Sequence, residues 1–163
     1  MSSSSPRLAL LLLVALLLGA CGFQLRPAPT VPAAMQRTWI DTDDRYTLFY
    51  RQLLRELEAA GVDVVDNPAD ATAVFSILSD ETDQRVLSVS ARNVPREYEV
   101  YYTVYYGVEA GGDTLLAPQL QTVTRDYTWD ETQVLGKARE EELLRESIAR
   151  DLVRTVLIQL SSL

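Results

Sequence analysis

The chain contains no histidine, which excludes an imidazole general base, a histidine-ligated metal and any Ser-His or Cys-His nucleophile pair. Its one cysteine, Cys21, cannot close an internal disulfide, and in an exported protein an unpaired thiol calls for an explanation. Lysine is nearly absent: of 15 basic residues only Lys137 is not arginine, a bias that fits codon usage better than function. The 23 acidic residues leave a formal charge of −8, which argues against a general nucleic-acid binder and against electrostatic adsorption to an anionic membrane. No apolar run approaches the roughly 20 residues that a membrane-spanning helix needs. A charged fraction of 23% is ordinary for a folded protein, and 163 residues suit one domain with its own core rather than two.

What is present begins with a leader. A polar start carrying Arg7 precedes an apolar run from Leu8 to Leu18, an n-region followed by an h-region. The run ends in Leu18-Gly19-Ala20-Cys21, which matches the lipobox of bacterial lipoproteins. Residues 1–20 are therefore expected to be a cleaved signal peptide and Cys21 the lipidation site. No cofactor is expected beyond the covalent N-acyl diacylglycerol on Cys21. Loss of Arg7 with the leader takes the formal charge from −8 to −9. Gly22 stands where an aspartate would resemble an inner-membrane retention signal, so an outer-membrane, periplasm-facing, lipid-anchored location is expected. Two acyl chains and a third through an amide exceed the two-signal minimum for stable anchoring.

Residues 21–36 read as the lipidated cysteine followed by a tether, extended by Pro27, Pro29 and Pro32, and residues 37–163 as a single domain. A short strand is predicted at Arg37–Asp41. From Tyr46 to Ala60, Phe49, Tyr50, Leu53, Leu54 and Leu57 recur at intervals of three and four, an amphipathic helix that Thr47 or Asp44 can cap and Gly61 ends. Strands are predicted at Ala73–Leu78, Val86–Ser90, Glu97–Val108 and Gln119–Trp129, separated by polar turns. Along the third of these, Tyr98, Val100, Tyr102, Val104, Tyr106 and Val108 share one face, opposite Glu97, Glu99, Tyr101, Thr103 and Tyr105. A last helix from Thr132 to Leu160 carries an i+4 row of Leu144, Ile148, Leu152, Val156 and Leu160, flanked by Leu143, Ala149, Val153 and Leu157. The predicted fold class is α+β: a two-layer sandwich with two helices on one face of a roughly four-stranded, mostly antiparallel sheet.

In this order and spacing, Cys21-Gly22-Phe23-Gln24-Leu25-Arg26, Leu57-Glu58-Ala59-Ala60-Gly61-Val62, Arg92-Asn93 leading to Glu97-Tyr98-Glu99, Arg125-Asp126-Tyr127 and Val134-Leu135-Gly136-Lys137 with Glu140 resemble the lipopolysaccharide-assembly lipoproteins of the LptE family. The resemblance covers essentially the whole mature chain. It implies a non-enzymatic protein that plugs a large outer-membrane β-barrel, LptD, one to one, and helps deliver lipopolysaccharide to the outer leaflet. It also implies lipopolysaccharide contacts at Lys137 and Arg92, with Arg96 as a neighbouring substitute because the loop Ala91–Arg96 is about one residue shorter than the family pattern. Family members often carry a polar C-terminal tail, and because the sequence given stops at Leu163 nothing assigned to that tail is carried over.

Each candidate has a plainer alternative. Arginine pairs bidentately with phosphate oxygens and lysine meets them as a point charge, yet Arg92, Arg96 and Lys137 also fit ordinary solvated cations. Tyr101 and Tyr105 suit an aromatic surface for a partner, or coverage by the helices. Glu97 with Glu99, and Glu140 to Glu142, read as solvated faces rather than a glycosidase pair. The rival functions are a structural accessory lipoprotein of another envelope assembly or secretion machine, without glycolipid binding, and a periplasmic hydrolase.

Overall fold

The computed structural model describes residues 30–129 and 134–163. The leader, Cys21, Gly22, the first part of the tether and the residues 130–133, including the expected helix start at Thr132, lie outside the described residues. The folded domain begins before Arg37. Ala33–Met35 form a 3-10 turn whose Met35 is fully buried and accepts a hydrogen bond at its carbonyl from the buried Thr38 hydroxyl at 2.7 Å.

Strand β1 (Arg37–Asp41) leads into helix α1 (Leu48–Ala59). Thr47 caps the helix, its hydroxyl accepting from the Tyr50 N–H at 3.1 Å, while Asp44 accepts the Tyr46 N–H in the preceding turn. At the other end Gly61 adopts φ +84°, and the N–H groups of Gly61 and Val62 donate to the carbonyls of Glu58 and Leu57, both at 3.0 Å. This pair of bonds closes the helix as a Schellman motif and turns the chain back into the two-residue strand β2 (Asp63–Val64). Phe49, Leu53 and Leu57 are fully buried on the inward stripe, each contributing about 1.5–3 kcal/mol of burial.

The sheet has five strands in the order β2-β1-β3-β4-β5, with β1 parallel to β2 and β3, and β3, β4 and β5 antiparallel. Two helices on one face make it the expected α+β sandwich; β2, too short to carry a period, is absent from the predicted strands. A second correction concerns β3 (Ala73–Val89), which is one strand of 17 residues rather than two strands and a turn. The polar run Asp80–Arg85 contains no glycine or proline and pairs residue by residue with Glu99–Val104 of β4 (Pro95–Ala110). Strand β5 spans Asp113–Thr128, starting earlier than predicted. Opposite Gly107, β5 inserts an extra residue: a Cβ at Gly107 would lie 3.2 Å from Pro118 Cγ and 3.3 Å from its nitrogen, so a larger residue there would push against the bulged strand.

Helix α2 (Val134–Leu160) lays Ile148, Leu152, Val156 and Leu160 fully into the core, with Leu144 partly buried. Leu143, expected to flank this row, is 47% exposed on the outer side of the helix. On the sheet, Val100, Tyr102, Val104, Tyr106 and Val108 meet that row, and Phe75 stacks on Tyr106 with ring centroids 5.4 Å apart. The Tyr106 hydroxyl donates to Gln159 Oε1 and accepts from Gln119 Nε2, both at 2.9 Å, and Gln159 Nε2 donates to Gln119 Oε1 at 3.0 Å. That closed triangle ties the last turns of α2 to β4 and β5 with its polar groups satisfied.

Candidate functional site

Beyond the reach of α1, the sheet narrows to a three-stranded ribbon made of the second half of β3, the start of β4 and the end of β5. The β3–β4 turn is built locally. Asn93 takes the left-handed conformation at φ 61°, its N–H donates to the Ser90 carbonyl at 2.8 Å, and the Val94 N–H donates to the Ser90 hydroxyl at 3.2 Å. This places Arg92 exposed at the apex, with Arg96 exposed two residues into β4. Val86, Leu87 and Val89, on the β3 side of the same hairpin, are each about half exposed.

The ribbon is bound to α2 by an aromatic and polar cluster. Tyr98 stacks on Tyr127 with centroids 5.6 Å apart and meets Trp129 edge-on at 5.8 Å, and the Trp129 N–H donates to the Arg96 carbonyl at 2.7 Å. The Tyr127 hydroxyl donates to Gln84 Oε1 at 2.9 Å, with Glu141 Oε2 at 3.4 Å, and Arg145 pairs with Glu141 at 2.6 Å. Burial, then the Glu141 carboxylate, push the Tyr127 phenol up to about 12. Lys137 lies one helical turn before Glu141, toward the ribbon tip, its Nζ 2.7 Å from Glu140 Oε2 and its side chain largely covered. The three sequence-predicted cations thus stand at one end of the molecule: Arg92 and Arg96 carry no carboxylate within 4.0 Å among the described residues, whereas Lys137 is already paired. Sequence reasoning did not foresee the Tyr98, Tyr127 and Trp129 cluster that holds this end together. The alternation that put Tyr98 on the core face was its one visible sign.

The face of the sheet away from the helices is open. Tyr105 is 38% exposed, its cross-strand partner Leu120 is 64% exposed, and Tyr101 is half-buried with the Arg85 guanidinium 6.0 Å from its ring centroid. The hydroxyls of Thr103 and Thr122 meet between the two tyrosines at 3.0 Å. Glu99 is not on the solvated face expected for it: its side chain is largely covered, beneath an exposed Arg85 that pairs with it at 2.5 Å, while Glu140 and Glu142 pair with Lys137 and Arg139 along α2.

Two helices on one face of a five-stranded mixed sheet, with the other face open, define the class: a two-layer α+β domain. The solved structure of a lipoprotein B from Nitrosomonas europaea is 28% identical, with a TM-score of 0.71 over 86% of this chain and 91% of that one. The rare lipoprotein B of Shewanella oneidensis is 26% identical, with a TM-score of 0.68 over 77% and 94%. The LptE lipopolysaccharide-assembly family model matches residues 35–160. The chain belongs to the LptE family. Among its relatives, the LPS-assembly lipoprotein LptE of Yersinia enterocolitica is 30% identical over 91% of this chain and 74% of that one, and that of Pectobacterium atrosepticum is 29% identical over 89% and 81%. Among the described residues, no helix is long and apolar enough to cross a membrane.

Proposed function

We propose that this chain is a non-catalytic outer-membrane lipoprotein, held by acylated Cys21, that plugs and supports an LptD-type β-barrel and binds lipopolysaccharide on its way to the outer leaflet. The observation that carries the reading is the composition of the ribbon tip. Arg92 and Arg96, free of carboxylates within 4.0 Å among the described residues, share one hairpin with the exposed aliphatic side chains Val86, Leu87 and Val89. A phosphorylated glycolipid presents the same pair of chemistries, phosphate oxygens for guanidinium forks and acyl chains for aliphatic surface. The open sheet face supports the partner. Tyr101 and Tyr105 offer rigid contact area with hydrogen-bonding tips, the kind of surface enriched in protein interfaces.

A photo-crosslinking residue at Tyr105 in the membrane-bound protein is expected to capture a large β-barrel protein, identified by mass. Crosslinks confined to lipid or to the protein itself at both Tyr101 and Tyr105 would remove the plug assignment. Cys21→Ser is expected to abolish acylation and release the chain from the membrane fraction.

A further inference from the structure

Seven of the described arginines lie within 4.0 Å of a carboxylate, as an acid-rich surface leads one to expect. The rest fall at two places: the hairpin tip already described, and the outer surface of the helices, where Arg51, Arg55 and Arg154 have no carboxylate within that distance among the described residues. Arg51 and Arg55 are one turn apart on α1. Together with Arg150 of α2, whose nearest carboxylate, Glu146, is at 4.0 Å, they line a groove of about 220 Å³ between the two helices. Leu48, Ala149 and Gln52 complete its walls. Gln52 is held in place, its Oε1 accepting from Arg55 at 2.5 Å and its Nε2 donating to Glu56 at 2.8 Å. Arg51 spends only its Nε–H, on the Thr47 carbonyl at 3.4 Å.

We propose that this groove is a phosphate-binding site. Three guanidinium groups face Glu146, the one carboxylate that lines the groove, with Glu56 one step back behind Gln52; the local charge of about +1 to +2 suits a phosphate monoester carrying roughly −1.5 to −2 at neutral pH. Most of the guanidinium N–H donors are unspent, and their fork geometry fits phosphate oxygens. The net charge of the chain supplies no long-range attraction for an anion, so recognition depends on this local cluster. The groove is separate from the hairpin tip: Glu146 follows Lys137 by nine residues, about 14 Å along α2 and two and a half turns, on the opposite side of the helix. The ligand is a phosphate group, free or on a sugar headgroup.

The test uses the full-length acylated protein in non-ionic detergent micelles, titrated with inorganic phosphate and separately with glucosamine 1-phosphate, and read by the arginine Nε–H resonances. Saturable shifts confined to Arg51, Arg55 and Arg150 are expected. Tighter binding of the phosphosugar assigns a headgroup, and equal binding assigns free phosphate. Arg51→Gln with Arg55→Gln should abolish the shifts at an unchanged melting temperature. Glu146→Gln, which removes the opposing charge, should tighten binding several-fold, a gain that misfolding cannot produce. Unsaturable shifts spread over all arginines, including the paired Arg37, no tightening in Glu146→Gln, or preferential binding of a glutamate-rich peptide would each overturn the phosphate assignment.

Discussion

Strands β3, β4 and β5 run through two regions of unlike construction. At the helix-covered end, Phe75, Tyr102, Val104 and Tyr106 are fully buried against both helices, and the polar tips of the two tyrosines are hydrogen-bonded. At the ribbon end α2 alone lies over the strands, the contact rests on Tyr98, Tyr127 and Trp129, and aliphatic and cationic side chains point outward. Few buried apolar contacts and an exposed ladder are the marks of a region of low local stability. The covered end therefore sets the stability of the fold, while the ribbon is free to carry side chains that a stable monomer has no use for.

The comparison breaks first in the core. Leu152 is fully buried at the middle of the α2 row, and Leu152→Ala is expected to cost about 2–5 kcal/mol in a cooperative denaturant melt. A loss below 1 kcal/mol would mean that the helix layer is looser than its burial indicates.

A second effect lies at the boundary of the two regions. The Tyr102 hydroxyl accepts from the Phe49 N–H at 3.2 Å and donates to Asp80 Oδ1 at 2.5 Å, while Asp80 Oδ2 is buried without a partner. Burial raises the Asp80 carboxyl above its ordinary value of 3.8, outweighing the lowering effect of the nearby Thr47 and Tyr102 hydroxyls. An acid whose folded value is raised binds its proton more tightly in the folded chain. Its contribution to stability is fully present below about pH 3.8 and is lost as the pH rises through the folded value. Asp80→Asn is therefore expected to gain stability relative to the wild type on going from about pH 3 to pH 7. Parallel pH profiles for the two proteins would show that Asp80 is not strained by burial.

How far these regions were legible beforehand follows the range of the interactions that make them. Helix α1 was readable because Thr47, the inward stripe and Gly61 act within a few residues of one another. The unbroken course of β3 was not, since Asp80–Arg85 are extended only by pairing with β4, and no local period records that pairing. For the same reason β2 leaves no mark in the sequence: its two residues are a strand only beside Arg37 and Thr38. The inward face of β4 was visible as alternation, and the positions of Arg92 and Lys137 followed from the family resemblance. The groove arginines were invisible, because Arg51 and Arg55 meet Arg150 only through the packing of two helices far apart in sequence.

A smaller effect sharpens the ribbon side. Tyr127→Phe removes the hydrogen bond to Gln84 and the contact with Glu141, at an expected cost of about 0.5–1.5 kcal/mol. If the ribbon opens separately from the core, that loss appears mainly as faster hydrogen exchange of the amides of Tyr98 and Tyr127, with the core amides of Tyr102 and Tyr106 unchanged. Equal acceleration at both ends would make the sheet one cooperative unit and dissolve the distinction.

The smallest change in stability is expected where the largest change in binding is proposed. Arg92 is exposed at a turn apex; Lys137 is largely covered, but its i,i+3 pair with the half-exposed Glu140 is worth only a few tenths of a kcal/mol and a glutamine keeps most of its covering. Replacing both with glutamine should leave the melting temperature almost unchanged, within about 0.5 kcal/mol of stability. It should also leave capture of the barrel by Tyr105 intact, since that residue lies on the open face away from the hairpin. Lipopolysaccharide binding by the purified protein should fall. Added salt should weaken the wild type more than the variant, because only the wild type still has those two cations to be screened, and in neither should it abolish binding supported by Val86, Leu87 and Val89. Unchanged affinity in a folded double variant would remove Arg92 and Lys137 from the glycolipid contact and leave the plug role standing on the open sheet face alone.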